Sequence, residues 1–205
     1  RNFANKIWNA SRYMLMNLEG TDTAFVPNES DYTLADRWIL SRAAQTARDV
    51  TANLENYELG EAGRMIYEFL WSEFCDWYIE LTKARLYDKE HPRAKNTALF
   101  VLRTILERTM RLLHPFMPFL TEEIWQKLPH TGESIMRAPW VEAVASDIDM
   151  TAERTMGAIM EVIKTVRNLR AELGTPPGRK SPLILRVRDG ALAETFASHV
   201  DYFHA

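Results

Sequence analysis

Helical periodicity of the apolar residues constrains the fold of this 205-residue chain more than any other feature of its sequence. In the first segment, apolar side chains recur every three or four positions, from Phe3 through Ile7 and Met14 to Leu18. This spacing places them on one side of a helix, which then packs against a core. The same pattern predicts further helices over residues 34–53, 59–87, 94–114, 118–127, 150–173 and 191–205. We therefore expect a mainly α fold.

Composition excludes several classes of protein. Apolar residues make up 46% of the chain and charged residues 26%, which is ordinary globular usage and excludes general disorder. No apolar run approaches the length of a membrane span, so we expect no membrane partner. The single cysteine, Cys75, cannot form an internal disulfide, which fits a reducing cytosol and predicts a cytoplasmic protein. The chain opens on Arg1 without an initiator Met, and we expect it to be a piece of a longer protein.

Local signals predict where the elements begin and end. Thr33 and Asp36 have capping-box spacing, with Asp in place of the preferred Glu or Gln, and predict the start of the second helix. Pro115 and Pro118 predict a corner, because proline lacks a backbone donor and restricts the residue before it. Residues 183–188, with the sequence Leu-Ile-Leu-Arg-Val-Arg followed by Asp189 and Gly190, predict a strand. A lone strand cannot form a sheet, so we expect the C-terminal part to be truncated.

Sequence signatures of catalysis are missing from the chain. It contains neither a Gly-rich dinucleotide fingerprint nor a phosphate-binding P-loop. The five histidines are scattered, and one Cys cannot build a cysteine zinc site. We expect no catalytic residue, no metal and no cofactor in this chain.

Basic residues are concentrated in three parts of a chain whose formal net charge is −3. Residues 1–20 carry a net charge of +2, residues 83–95 carry +3, and residues 161–188 carry +5 from seven bases and two acids. Such stretches are typical of proteins that bind a polyanion on selected faces, and equally of ordinary solvated surface. The loop with Arg179 and Lys180 is open to both interpretations.

The first predicted helix has a more particular outer side, made of Asn2, Asn5, Asn9 and Arg12, with Lys6 alongside. Amide groups suit base edges and guanidinium groups suit phosphates, and a single-stranded RNA loop presents both. The alternative, that Asn5 and Asn9 only hydrogen-bond neighbouring parts of a bundle, fits the pattern equally well. Tryptophans within apolar stripes predict packing between helices rather than base stacking: Trp8, Trp38, Trp71, Trp77 and Trp125.

Four stretches resemble the anticodon-binding domain of the valyl-tRNA synthetases. They cover residues 2–12, 36–41, 67–80 and 114–125. The last of these blocks is shared with the isoleucyl and leucyl relatives. The runs Trp71–Tyr78 and Arg167–Glu172, with Pro176 and Pro177 after the second, favour the valyl family.

The resemblance implies the anticodon-binding helical bundle of class Ia aminoacyl-tRNA synthetases over residues 1–147. A partial α/β segment over residues 148–205 follows, truncated before a C-terminal coiled coil. The implied partners are the anticodon stem-loop of tRNA(Val) and upstream domains of the same polypeptide, where ATP-dependent aminoacylation with valine and editing take place. A monomer is expected. The alternatives are a helical scaffold for protein partners, or the anticodon domain of an isoleucyl or leucyl enzyme.

The resemblance and the charge pattern together select a set of basic and amide side chains. The candidate tRNA-binding residues are Arg1, Asn5, Lys6, Asn9, Arg12, Lys83 and Arg85. Arg and Lys are expected to contact phosphate, and Asn to contact base edges. Lys83 and Arg85 have an alternative role, since basic residues near a helix end also complement the helix dipole.

Overall fold

The computed structural model of the chain describes residues 2–19, 21–176 and 178–203. Eight α-helices form in these described ranges, and no strand does. The helices are α1 (Asn2–Leu18), α2 (Leu34–Glu55), α3 (Leu59–Glu68), α4 (Ile79–Tyr87), α5 (Pro92–Leu113), α6 (Pro118–Trp125), α7 (Met150–Glu172) and α8 (Gly190–Ser198). Short 3₁₀ turns lie at Glu29–Asp31, Ile135–Arg137, Ala145–Asp147 and Val200–Phe203. The predicted mainly α fold is confirmed.

Helix α2 begins at the predicted capping box. The Thr33 side chain accepts a hydrogen bond from the Asp36 backbone N–H, and the Asp36 carboxylate accepts one from the Thr33 N–H at 2.9 Å. These two bonds satisfy donors that would otherwise have no partner in the first turn of a helix.

The predicted helix over 59–87 is one continuous helical segment with an unexpected centre. Between α3 and α4, residues Phe69–Tyr78 form a π-helix, in which the Ile79 N–H donates to the Phe74 carbonyl five residues earlier. We call the whole segment, residues 59–87, the α3–α4 rod. The wider π turn changes the direction of successive side chains, so two sides of the rod are covered by neighbours.

Helix α5 lies at the centre of the bundle and contacts α1, α2, α3, α4 and α6. Side chains at its inner side are fully buried, among them Leu102 and Ile105. Ile39 and Val50 of α2 and Ile66 of α3, two helices that α5 contacts, are fully buried as well. Burying a side chain of this size contributes about 1.5–3 kcal/mol, so apolar burial around α5 stabilises the bundle.

The chain divides into two compact units, residues 1–150 and residues 151–205, against a predicted division after residue 147. The second unit contains most of α7, the irregular segment after it, and α8.

The prediction of a strand over residues 183–188 is wrong. These residues form no strand, and Ile184 is 91% exposed. A strand requires a neighbouring segment to accept and donate its backbone hydrogen bonds, and no described residue provides one. The last predicted helix, over 191–205, is shorter than expected: α8 ends at Ser198 and a 3₁₀ turn follows. Positions 204 and 205 lie outside the described residues.

Candidate nucleic-acid interface

Helix α1 separates a buried side from a polar side. Its buried residues are Ile7, Ser11, Met14 and Leu18, which share one side of the helix. The opposite side is exposed and consists of Asn2, Asn5, Asn9 and Arg12. We call these four residues the α1 ridge. The apolar periodicity of the sequence therefore determines which amide and guanidinium groups face solvent.

Three of the candidate tRNA-binding residues, Asn5, Asn9 and Arg12, lie on this ridge and are exposed. Residues at these positions are three and four apart, so they are neighbours along about two turns of helix. Two planar amides and one planar guanidinium in a row offer paired donors and acceptors beside a positive charge. Arg1, a fourth candidate, lies outside the described residues.

Lys6 lies at the side of α1 that meets the α3–α4 rod. Its ammonium donates to the Asp76 carboxylate at 2.6 Å and sits 3.7 Å from the centre of the Trp71 ring. It also donates to the Trp71 carbonyl at 3.4 Å. Its side chain remains 24% exposed. The charge of Lys6 therefore borders the ridge while its contacts join α1 to the rod.

Aromatic rings flank the ridge on both sides. On the rod side, the Phe3 and Tyr67 rings lie 4.6 Å apart, and Tyr67 stacks on Trp71 at 5.6 Å. On the other side, the Lys127 ammonium lies 5.1 Å from the Trp8 ring. Cation–π contacts of this kind hold the cation over the ring face.

The position of Trp8 differs from the one predicted. It was expected to pack between helices, and it is instead 40% exposed. It lies next to Ile7 at the margin of the buried side of α1, so only part of its ring is covered. Among the other tryptophans, Trp38, Trp77 and Trp125 are buried, as expected for packing residues, and Trp71 is half-buried.

Lys83 and Arg85 lie on α4, and the structure separates them. Lys83 is partly exposed, and its ammonium donates to Glu80 at 2.8 Å. The Arg85 guanidinium instead forms two hydrogen bonds of 2.7 Å with the buried Asp36 carboxylate, and the Arg85 side chain is only 16% exposed. Arg85 thus joins α4 to the buried start of α2 and is not part of an exposed surface. This contact argues against its selection as a candidate tRNA contact.

The buried negative charge of Asp36 explains why the Arg85 guanidinium stays bound to it. Burial raises the pKa of the Asp36 carboxyl, but the hydrogen bonds and charge of Arg85 outweigh it, with smaller effects from Tyr78 and Thr33. The resulting pKa is below its ordinary value. Asp36 is therefore a buried carboxylate, and removing Arg85 from it would leave a buried charge uncompensated.

Sequence reasoning missed Asp76 and Lys127, the two charged residues that hold the aromatic flanks. Neither has a sequence signal, since Asp76 lies 70 positions from its partner Lys6 and Lys127 follows the end of α6. In the described residues, no group of three or more His, Cys, Asp or Glu is placed to hold a metal ion. No helix in that part of the chain is both long and apolar enough to cross a membrane.

A helical bundle that exposes amide and guanidinium groups along its first helix has the features of a nucleic-acid-binding domain. Residues 36–185 match the family described as the anticodon-binding domain of tRNA ligase, and the chain belongs to that family.

Relatives of the chain share close sequence similarity with it over part of their length. It is 54% identical to the valine–tRNA ligase of Carboxydothermus hydrogenoformans over 94% of this chain, and 47% identical to that of Bacillus licheniformis over 98%. It is 48% identical to the valine–tRNA ligase of Geobacillus stearothermophilus over 92% of this chain. The chain spans 21–23% of the length of these three relatives.

Proposed function

We propose that this chain is the anticodon-binding module of a valine–tRNA ligase and that the α1 ridge contacts the anticodon stem-loop of tRNA(Val). The observation that carries the proposal is the exposure of Asn5, Asn9 and Arg12 along one side of α1. Membership of the anticodon-binding family and the similarity to valine–tRNA ligases support it. The proposal assigns this chain recognition and positioning, with no catalytic residue and no cofactor of its own.

The chemistry of the ridge suits a hairpin loop. The Arg12 guanidinium provides a planar fork for a phosphate, and the Asn5 and Asn9 amides provide a donor and an acceptor for an unpaired base edge. An adenine edge accepts and donates at adjacent positions, which an amide meets with two hydrogen bonds. Lys6 adds positive charge beside the ridge, although it must leave Asp76 if it turns toward RNA.

Binding at the anticodon can contribute to a reaction elsewhere in the ligase. Interactions with a remote part of a substrate can hold the reacting end in place, and this binding energy is then expressed as rate. In the proposed protein, domains outside this chain would use ATP to join valine to the acceptor end and would edit mischarged tRNA. We propose the cytoplasm as its location and a monomer as its working state.

Arg12→Ala tests the proposal in the 205-residue chain. We expect the free energy of binding to a labelled anticodon stem-loop RNA to weaken by about 1–3 kcal/mol, because the substitution removes a charge-assisted hydrogen bond to phosphate. The midpoint of thermal unfolding should stay nearly unchanged, because Arg12 is exposed. Fluorescence anisotropy and circular dichroism measure the two quantities.

Arg137→Ala is the matched control, since Arg137 is 81% exposed and belongs to the 3₁₀ turn Ile135–Arg137 rather than to α1. It should leave RNA binding unchanged. Equal losses of binding in both variants would mean that only total charge matters. No loss in Arg12→Ala would remove the ridge from the proposed interface.

A further inference from the structure

The end of α7 is fixed by a complete C-terminal capping motif. Gly174 has a φ of +62°, and its N–H donates to the Ala171 carbonyl at 3.0 Å. The Thr175 N–H donates to the Arg170 carbonyl at 2.8 Å. This pair of hydrogen bonds defines a Schellman motif, in which glycine is favoured because other residues adopt a positive φ at a cost. The chain therefore leaves α7 in a defined direction.

The Arg170 side chain holds the loop that follows. Its guanidinium donates to the Pro176 carbonyl at 3.1 Å and to the Arg179 carbonyl at 2.6 Å. The Arg179 N–H also donates to the Pro176 carbonyl at 3.0 Å. Two of these hydrogen bonds join the loop to the last turn of α7, and the third closes a turn within the loop. They place Arg179, and with it the next residue Lys180, beside the end of the helix.

Two further basic residues lie on α7 itself. Lys164 and Arg167 are three apart on one exposed side of the helix, with Asn168 next to them. We call Lys164, Arg167, Arg179 and Lys180, all exposed, the α7 basic cluster. The stretch 161–188 that contains it has a net charge of +5 in a chain of net charge −3.

The chemistry of the α7 basic cluster favours phosphate over protein as its ligand. Protein interfaces are centred on buried apolar or aromatic anchors. Leu169, the exposed large apolar residue in this part of α7, lies on the side of the helix opposite to Lys164, as its spacing of five residues requires. Among the described residues, the side of α7 that carries Lys164 and Arg167 therefore has no exposed large apolar side chain, and its polar groups are those that contact nucleic-acid backbones.

We propose that the α7 basic cluster is a second RNA-binding surface, which contacts the sugar–phosphate backbone of an RNA helix without reading its sequence. This inference rests on the proposed function, because it gives the same module a second contact with tRNA. The ridge of α1 reads the loop, and the cluster binds the phosphates of a double-stranded stem. Arg170 acts as a positioning residue, since it holds the loop that presents Arg179 and Lys180.

The test uses a plain RNA duplex of unrelated sequence, which has no loop, and the 205-residue chain. The double variants Lys164→Gln with Arg167→Gln, and Arg179→Gln with Lys180→Gln, should each weaken duplex binding about tenfold at low salt. Each should also make the slope of log K against log salt shallower by about two. Each neutralised side chain loses one phosphate contact and with it the release of one counterion. Arg48→Gln with Arg137→Gln, the same charge change at exposed residues of the first unit outside the three basic stretches, should alter neither quantity.

Gly174→Ala tests whether RNA binding depends on the position of the loop that carries Arg179 and Lys180, separately from its charge. It keeps every charge, and the added Cβ meets no atom within 4 Å, so its effect comes from the positive φ alone. We expect duplex binding to weaken about threefold or more, because the loop is displaced, while circular dichroism shows the fold retained. Unchanged binding in this variant would overturn the positioning role of the loop.

The outcomes distinguish this inference from the proposed function. If the double variants bind the duplex like the unaltered chain, the cluster is not an RNA surface, whatever Arg12→Ala does to stem-loop binding. If they lose duplex binding while Arg12→Ala has no effect on the stem-loop, the cluster stands and the ridge assignment fails. Tighter binding of labelled polyglutamate than of the duplex would also overturn the inference, because it would assign the cluster to an acidic protein.

Discussion

Several hydrogen bonds from different parts of the bundle converge on the side chain of Asp36. Its buried carboxylate accepts hydrogen bonds from Thr33 of the capping box, from the Arg85 guanidinium and from the Tyr78 hydroxyl. The same side chain therefore starts α2 and joins it to the α3–α4 rod. Charge-assisted bonds of this kind are strong, and an incomplete set of partners would leave a costly buried charge.

Asp36→Asn should destabilise the bundle by about 3–5 kcal/mol at pH 7, because it leaves the Arg85 charge without its partner. The pKa of Asp36 is lowered by folding, so its stabilisation is complete above its ordinary value of 3.8 and is lost as the pH falls through the folded-state pKa. The variant should therefore lose less stability than the unaltered chain on acidification below pH 3.8. Urea unfolding at pH 7 and at acidic pH measures both effects.

Asp49→Asn provides the comparison, since Asp49 is a carboxylate on the same helix whose side chain is 38% exposed. It should change the free energy of unfolding by well under about 1 kcal/mol at either pH. Equal effects of the two substitutions would contradict the central role assigned to the buried carboxylate.

The sequence alone predicts some of these residue contacts and exposures. The spacing of Thr33 and Asp36 predicts the capping box, because capping is a local interaction. The exposure of Asn5, Asn9 and Arg12 also follows from local periodicity. The partner of Asp36 does not, because Arg85 lies 49 positions away and only the packing of α4 brings it there. For that reason the sequence did not indicate that a buried carboxylate holds Arg85.

At the scale of elements, Lys6 and Asp76 join α1 to the rod. Asp76 lies in the π-helical part of the rod, on which Trp71 also supports the Lys6 ammonium. A π-helix has no distinct hydrophobic period over ten residues, so the sequence predicts only a helix there. The strand expected over 183–188 does not form for a related reason: its aliphatic and β-branched residues indicate strand propensity, while a strand exists only with a pairing partner.

Asp76→Asn should lower the free energy of unfolding by less than about 1 kcal/mol, because both partners of the ion pair are partly exposed. Affinity for the stem-loop RNA should rise, because the Lys6 ammonium is released and a negative charge beside the ridge is removed. Thermal unfolding and anisotropy titration measure the two changes. Asp49→Asn makes the same charge change elsewhere, and an equal rise there would assign the effect to net charge. No rise in Asp76→Asn would exclude Lys6 from RNA contact.

At the scale of the whole molecule, a negative net charge coexists with surfaces suited to a polyanion. The chain carries 28 acidic and 25 basic residues, yet the α1 ridge and the α7 basic cluster expose mainly amide and positive groups. Many of the acids are paired within the bundle, as Asp36 is with Arg85 and Asp31 with Arg93. The sequence predicted the net charge of each stretch, whereas which charges pair internally depends on the tertiary fold.

Salt dependence distinguishes RNA binding from the rival role of a scaffold for proteins. Phosphate contacts release counterions, so the association constant for the stem-loop should fall with rising KCl, with a log–log slope of about −2 or steeper. Thermal unfolding at each KCl concentration provides the control, since the fold itself should change little between about 50 and 200 mM, where buried pairs are screened far less than exposed ones. A flat slope with the fold intact would mean that phosphate contacts do not support binding, and the module would then be a protein scaffold.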